Sequence, residues 1–138
     1  EDGDLETGYI YVLKSLSESP RITTTKNLFK IGFSSTNVEE RIKNAEQDPT
    51  YLMAPVSVVA TYRCFNMNPQ RFERLIHRFF SDSCLDLEIT DRDGRNYIPK
   101  EWFIAPITAI GKAIELIIKG EIVNYYYDKS TESIMKIK

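Results

Sequence analysis

Tyr9, Tyr11 and Lys30 are the side chains whose types and spacing best suit the handling of a phosphate. Residues 9–15 form an almost unbroken run of aromatic and aliphatic residues that reads as a strand. Side chains alternate faces along a strand, so Tyr9, Tyr11 and Leu13 share one face and Ile10 and Val12 take the other. In residues 27–33, a second and antiparallel strand, Phe29, Ile31 and Phe33 form an apolar face opposite Leu28, Lys30 and Gly32. Packing Ile10 and Val12 with the phenylalanine face sends Tyr9, Tyr11 and Lys30 together to the other side. Gly32 there leaves room for a ligand to approach the backbone. The same pattern also describes an ordinary half-buried hairpin with tyrosines at its rim and a snorkelling lysine.

Three helical residues extend the set. Arg41 lies beside the stripe of Val38 and Ile42, placed to lean toward the sheet or to stay on the solvated face. Glu73 and His77, the single histidine, are four apart and stack on one helix face next to Phe72, Ile76 and Phe79. A carboxylate suits a hard cation such as Mg²⁺, for which one protein carboxylate plus substrate phosphate oxygens is a usual arrangement. A solvated i,i+4 pair is the plainer alternative. Asp91, Asp93, Gly94 and Asn96 hint at a calcium loop, but the glycine stands two positions too early. There is no P-loop, no dinucleotide fingerprint and no context for a serine-protease triad.

The elements that must position these residues follow in order. Residues 16–26 read as a connecting loop around Pro20. Thr36 and Glu39 make a capping-box pattern for a helix running to about Gln47, with Val38, Ile42 and Ala45 buried and Asp48-Pro49 as its stop. A strand is expected near residues 56–64. Asn68-Pro69 opens the helix of Glu73 and His77, which should reach about Phe80 and bury Phe72, Leu75, Ile76 and Phe79. Short strands over residues 85–90 and 96–98 flank an Asp93-Gly94 turn. Pro106 opens a last helix to Lys119, with Ile107, Ile110, Ile114, Ile117 and Ile118 at helical spacing and Gly120 as stop. The tail carries three adjacent tyrosines, Tyr125 to Tyr127, and reads either as an added strand or as partly disordered. One domain is expected over residues 8–120, with an acidic N-terminal tail (1–7) and a C-terminal extension (121–138).

The 138 residues fit one core, and 42% hydrophobic with 28% charged residues is ordinary for a folded soluble domain. No apolar run approaches the roughly 20 residues of a membrane span, and no signal peptide is visible, so a cytoplasmic protein with reduced Cys64 and Cys84 is expected. The net charge is −2, but four of the 20 acids (Glu1, Asp2, Asp4, Glu6) lie in the first six residues, leaving 18 basic against 16 acidic residues elsewhere. Phosphate affinity depends on local clusters rather than on the total. The chain starts without Met, which leaves open a longer polypeptide with further domains; oligomeric state is not legible.

Taken in order, Gly8-Tyr9-Ile10-Tyr11, Lys30-Ile31-Gly32, Arg41, Glu73 with His77, and Glu101-Trp102-Phe103 resemble the GIY-YIG nuclease superfamily, in its phage, bacterial and fungal branch with a Lys-Ile-Gly second motif. The resemblance implies an α+β fold: a small three-stranded antiparallel sheet flanked by helices, here with an extra C-terminal helix and short hairpin. It implies a metal-dependent endonuclease that hydrolyses DNA phosphodiester bonds. Tyr11, Lys30, Arg41, Glu73 and His77 would be catalytic and Tyr9 and Gly32 would contact substrate. Glu73 would hold Mg²⁺, with Mn²⁺ as an alternative. Lys30 stands where other members have a tyrosine, so Tyr11 or Lys30, both starting near a pKa of about 10, would have to be shifted toward neutrality to deprotonate the attacking water. Glu101 orients the site or only begins the strand that Trp102 anchors. The alternatives are a catalytically weak nucleic-acid-binding module and a protein-interaction domain using the residue 107–118 helix and the tyrosine strand.

Overall fold

A computed structural model describes residues 6–138, so most of the expected acidic tail lies outside the described residues. The central strand, β1 (Glu6–Ser15), is apolar on both faces because both are covered: Ile10, Tyr11, Val12 and Leu13 are all buried. It pairs antiparallel with β2 (Leu28–Ser34) on one side and β3 (Val56–Phe65) on the other. A fourth strand, β6 (Trp102–Ile104), adds antiparallel to β2, giving the order β3-β1-β2-β6, one strand more than expected. The α+β class otherwise stands as read. Among the described residues no helix is long and apolar enough to cross a membrane.

Two layers cover the sheet. On one face, Ile10, Val12, Ile31 and Phe33 pack against α3 (Pro69–Phe79) and α4 (Ile107–Ile118) through Phe72, Ile76, Ile110, Ile114 and Ile117. Asn68 caps α3 as expected, accepting from the Arg71 N–H at 3.0 Å, with Pro69 at the first helical position. On the other face, Tyr11 and Leu13 pack against Val38, Ala45 and Tyr51. The alternation read from the sequence is therefore the alternation of the fold. The register sets Tyr11 opposite Gly32 and Leu13 opposite Lys30.

Local departures have local causes. The expected loop at residues 16–26 holds a single helical turn, α1 (Pro20–Thr23), with Pro20 at its start. Helix α2 is only Val38–Ile42, and its cap is Asn37, whose side chain accepts from Glu39 N at 2.8 Å. Thr36 does not cap it; its hydroxyl faces Ser34 Oγ at 3.2 Å. Beyond Ile42 the chain tightens into 3₁₀ turns at Ala45–Gln47 and Pro49–Tyr51, the second held by the Asp48 side chain accepting from Thr50 N. That turn delivers Tyr51 to the sheet.

In α4 the buried arc is Ala109, Ile110, Ala113, Ile114, Leu116 and Ile117, whereas Ile107 and Ile118 are exposed. Small alanines on that arc let the helix lie close to the sheet. The helix therefore gives its main apolar arc to the core. The tyrosine segment is ordered as hairpin β7 (Tyr125–Asp128) and β8 (Ser133–Lys136), with Tyr127 ring centroids 5.0 Å from Phe80 and 6.4 Å from Phe79. The Asp93-Gly94 turn joins β4 (Ile89–Thr90) to β5 (Asn96–Tyr97), and the Asp91 carboxylate accepts from Asp93 N and Arg95 N instead of forming a calcium loop.

Candidate active site

Lys30 is 1% exposed, a degree of burial that a lysine accepts only with compensation. Its compensation is specific. The ammonium pairs with the Glu101 carboxylate and lies 5.4 Å from the Tyr11 ring centroid and 5.2 Å from that of Tyr51. Glu101 is presented by β6, which covers β2 only from Leu28 to Lys30; just before that pairing the Glu101 carbonyl accepts from Ile31 N. Glu101 thus belongs to the site rather than merely opening a strand.

Glu73, on α3, reaches the same place. Burial pushes its carboxyl above the ordinary range, and the Glu101 charge and a carboxyl–carboxyl hydrogen bond push it further; Lys30 and Arg41 oppose them without cancelling. The two carboxyl groups therefore face each other, with Lys30 and Arg41 as the neighbouring cations.

Tyr11, fully buried, joins the other half. Burial raises its phenol above the usual value, and the Glu101 charge adds to this, while contacts with Tyr51 and Arg41 pull it down. For Arg41, burial acts to lower the guanidinium, but Tyr11, Tyr51 and Glu101 outweigh it and the net direction is up. Tyr51 is also pushed up, by burial and then by Tyr11. Its hydroxyl is buried without a hydrogen bond of normal geometry, although the Tyr11 phenol lies beside it. The two phenols therefore lean on each other at the buried edge of the charged cluster.

The sequence expectations sort accordingly. Tyr11, Lys30, Arg41 and Glu73 converge, and Tyr9 packs half-buried on the same face. His77 lies one turn beyond Glu73, exposed, with its ring edge-on to Phe103 at 6.1 Å. Gly32 does not open the backbone to a ligand: a Cβ there would sit 2.5 Å from the Cζ and Oη of Tyr11, whose ring occupies the space. Tyr11 is shifted away from neutrality, not toward it. Tyr51 was not legible, its only signal being an aromatic just after Asp48-Pro49, and of the two readings left open for Glu101 the site role is the one that fits its pairing with Lys30.

Gly32→Ala is accordingly expected to displace Tyr11 and destabilise the fold by about 1–3 kcal/mol, the usual cost of overpacking. Denaturant unfolding checks this, and an unchanged midpoint would show that the ring moves aside freely.

Residues 8–118 match the family model of the T5orf172 domain. The chain is 47% identical over 117 residues to an uncharacterised protein, YeeC, of Bacillus subtilis (strain 168), covering 85% of this chain and 31% of that relative. It therefore spans about a third of the length of that curated relative. No solved structure matches. The match is to a family distinct from the GIY-YIG superfamily, which corrects the resemblance drawn from the short motifs. Part of that motif set has a packing explanation: Gly8 sits at φ 147°, where a Cβ would collide with the Ser34 carbonyl, and Gly32 makes room for the Tyr11 ring.

Proposed function

The chain belongs to the T5orf172 domain family, and we propose that its fold here serves a metal-dependent endonuclease hydrolysing phosphodiester bonds in DNA. The observation that carries the reading is the facing pair Glu73 and Glu101 beside buried Lys30 and the Tyr11–Arg41 contact. A structural core gains little from such a cluster, because burying charge costs more than most ion pairs return. A phosphate-handling site gains both signs of charge in one place.

The donor set fits a Mg²⁺ ion. Glu73, held above the ordinary range by burial and then by Glu101, would be relieved by a cation, and Mg²⁺ ordinarily takes few protein ligands and leaves the rest of its shell to water and phosphate. No group of three or more His, Cys, Asp or Glu residues suited to a metal occurs among the described residues, so an ion there depends on substrate oxygens. Glu73 would hold it, and Mn²⁺ would substitute. When bound, the ion polarises the phosphoryl oxygen and stabilises the leaving 3′ oxygen.

The chain's own residues do the rest. Arg41 binds the scissile phosphate and meets charge developing on its oxygens, a duty suited to a guanidinium that keeps its proton. Tyr11 retains its phenolic proton and orients the attacking water by hydrogen bonding, with Tyr51 packed beside it to hold the phenol in place. Lys30 fixes Glu101, whose partly exposed carboxylate is placed to accept the proton of that water as in-line attack proceeds. A cytoplasmic setting, with Cys64 and Cys84 as free thiols, is part of the same reading.

Incubation of the purified chain with supercoiled plasmid, branched DNA and single-stranded DNA tests it. Nicking or cutting is expected with Mg²⁺ or Mn²⁺ and none with EDTA. Salt-sensitive binding without cleavage of any substrate would replace the nuclease with a nucleic-acid-binding module.

A further inference from the structure

Beside the carboxyl pair, a cleft of about 450 Å³ runs along α3, lined by Glu73, Arg74, His77 and Arg78 from the helix and by Lys100 and Glu101 from the segment entering β6. Its floor is apolar: Ile31, Ile76 and Phe103. The volume lies in the range of small-molecule sites, and the make-up is theirs as well, an apolar floor with a few polar groups on the rim.

Helical spacing gives the rim two rows. Glu73 and His77 form one and Arg74 and Arg78 the next, so the acid lies at the end adjoining the catalytic cluster and His77 one turn further on. His77 is exposed, and its ring is held edge-on to buried Phe103 at an interplanar angle of 76°. The exposed imidazole thus stands across the Phe103 ring at the cleft rim, with surface left for a stacking partner. Three cations, Arg74, Arg78 and Lys100, stand around an apolar depression.

Stacked duplex DNA presents phosphates to such a rim but nothing to the floor, because its bases are turned inward. A single unstacked nucleotide presents both: a phosphate for the arginines and a flat apolar ring for the depression. We propose that this cleft is a nucleobase subsite, which takes one unstacked base of the nucleotide next to the scissile phosphate, stacked on His77 over the Phe103 floor. The substrate class is therefore DNA with an unpaired base at the cleavage position: single strands, bulges or branch points. The inference rests on the nuclease reading for the position of the scissile bond, but base binding itself does not.

Two measurements separate them. In EDTA, fluorescence anisotropy with a labelled 12-mer single strand, the same strand with abasic sites, and the corresponding blunt duplex reads base dependence without cleavage. The single strand is expected to bind at least tenfold more tightly than the duplex or the abasic strand at matched salt. His77→Ala should reduce that preference to within about threefold and His77→Phe, which keeps a stacking ring, should retain it. In Mg²⁺, cleavage of a duplex with and without a one-nucleotide bulge reads position, and cutting is expected to concentrate at the bulge.

Equal affinity for intact and abasic strands, or equal effects of alanine and phenylalanine at His77, overturns the subsite. If cleavage nevertheless occurs, the nuclease reading survives without it. Base-dependent binding with no cleavage under any cation overturns the nuclease and leaves the subsite standing.

Discussion

Glu73→Gln is expected to slow DNA cleavage by about 10²–10³-fold, the scale of losing one group that stabilises developing charge, while raising the melting temperature at pH 7. Both effects have one origin. Glu73 is held beside Glu101 in a partly buried place that disfavours its charge, so its carboxyl titrates above its ordinary value of 4.5. A carboxyl whose pKa is raised on folding destabilises the fold wherever it is ionised: fully above the folded-state pKa, and not at all below the unfolded one. Glutamine removes that charge and keeps the shape. The mutant should therefore melt above wild type at pH 7, and the gap should close as pH falls toward 4. Activity runs the other way. In limiting Mg²⁺, wild-type kcat/KM should rise with pH through a value above the usual carboxylate range, because ionised Glu73 is what binds the cation. Nicking assays and thermal melts at both pH values check the pair of outcomes. Cleavage within tenfold of wild type, or a lower melting temperature at pH 7, would remove Glu73 from the role given to it.

The convergence of Tyr11 and Lys30 was legible because strand alternation is a rigid rule: once Ile10 and Val12 go inward, Tyr11 and Lys30 have one place to go, whereas helical Arg41 was left between sheet and solvent. The same reasoning could not tell that this second face is also buried. Its cover comes from α2 and from Tyr51, brought up by a 3₁₀ turn whose sequence reads only as a helix stop. The sequence left Glu101 between a site role and a structural one for a related reason, since its importance comes from β6 docking on β2, a long-range pairing that leaves no periodicity in three residues. Asn37 displaced Thr36 as the cap because Ser34 engages the threonine hydroxyl, a contact set by where β2 ends. The motif order suggested a family that the family match does not bear out. Short motifs of strand tyrosines and close-packed glycines are what this sheet needs sterically, so they specify packing more sharply than descent.

Lys30→Met is expected to leave the chain folded, with a melting temperature within a few degrees of wild type, and to cut activity by about 10²-fold. Methionine matches the lysine stem in length and flexibility, so it can fill the slot between the Tyr11 and Tyr51 rings and meet them through a thioether. Replacing a buried charge by an apolar side chain of similar volume is often neutral or stabilising, and Glu101, 40% exposed, stays solvated when its partner goes. What is lost is function: Glu101 is no longer held, and its charge acts on Glu73 without the neighbouring ammonium. Lys30→Ala should behave differently, opening a cavity between the two rings at a cost of about 2 kcal/mol or more. Lys30→Arg should not rescue, because a planar fork does not fit a slot shaped for a point charge on a thin stem. Urea unfolding and cleavage rates for the three variants form the test. If Lys30→Met unfolds as readily as Lys30→Ala, the ammonium is a structural strut, and the case that its burial signals chemistry fails with it.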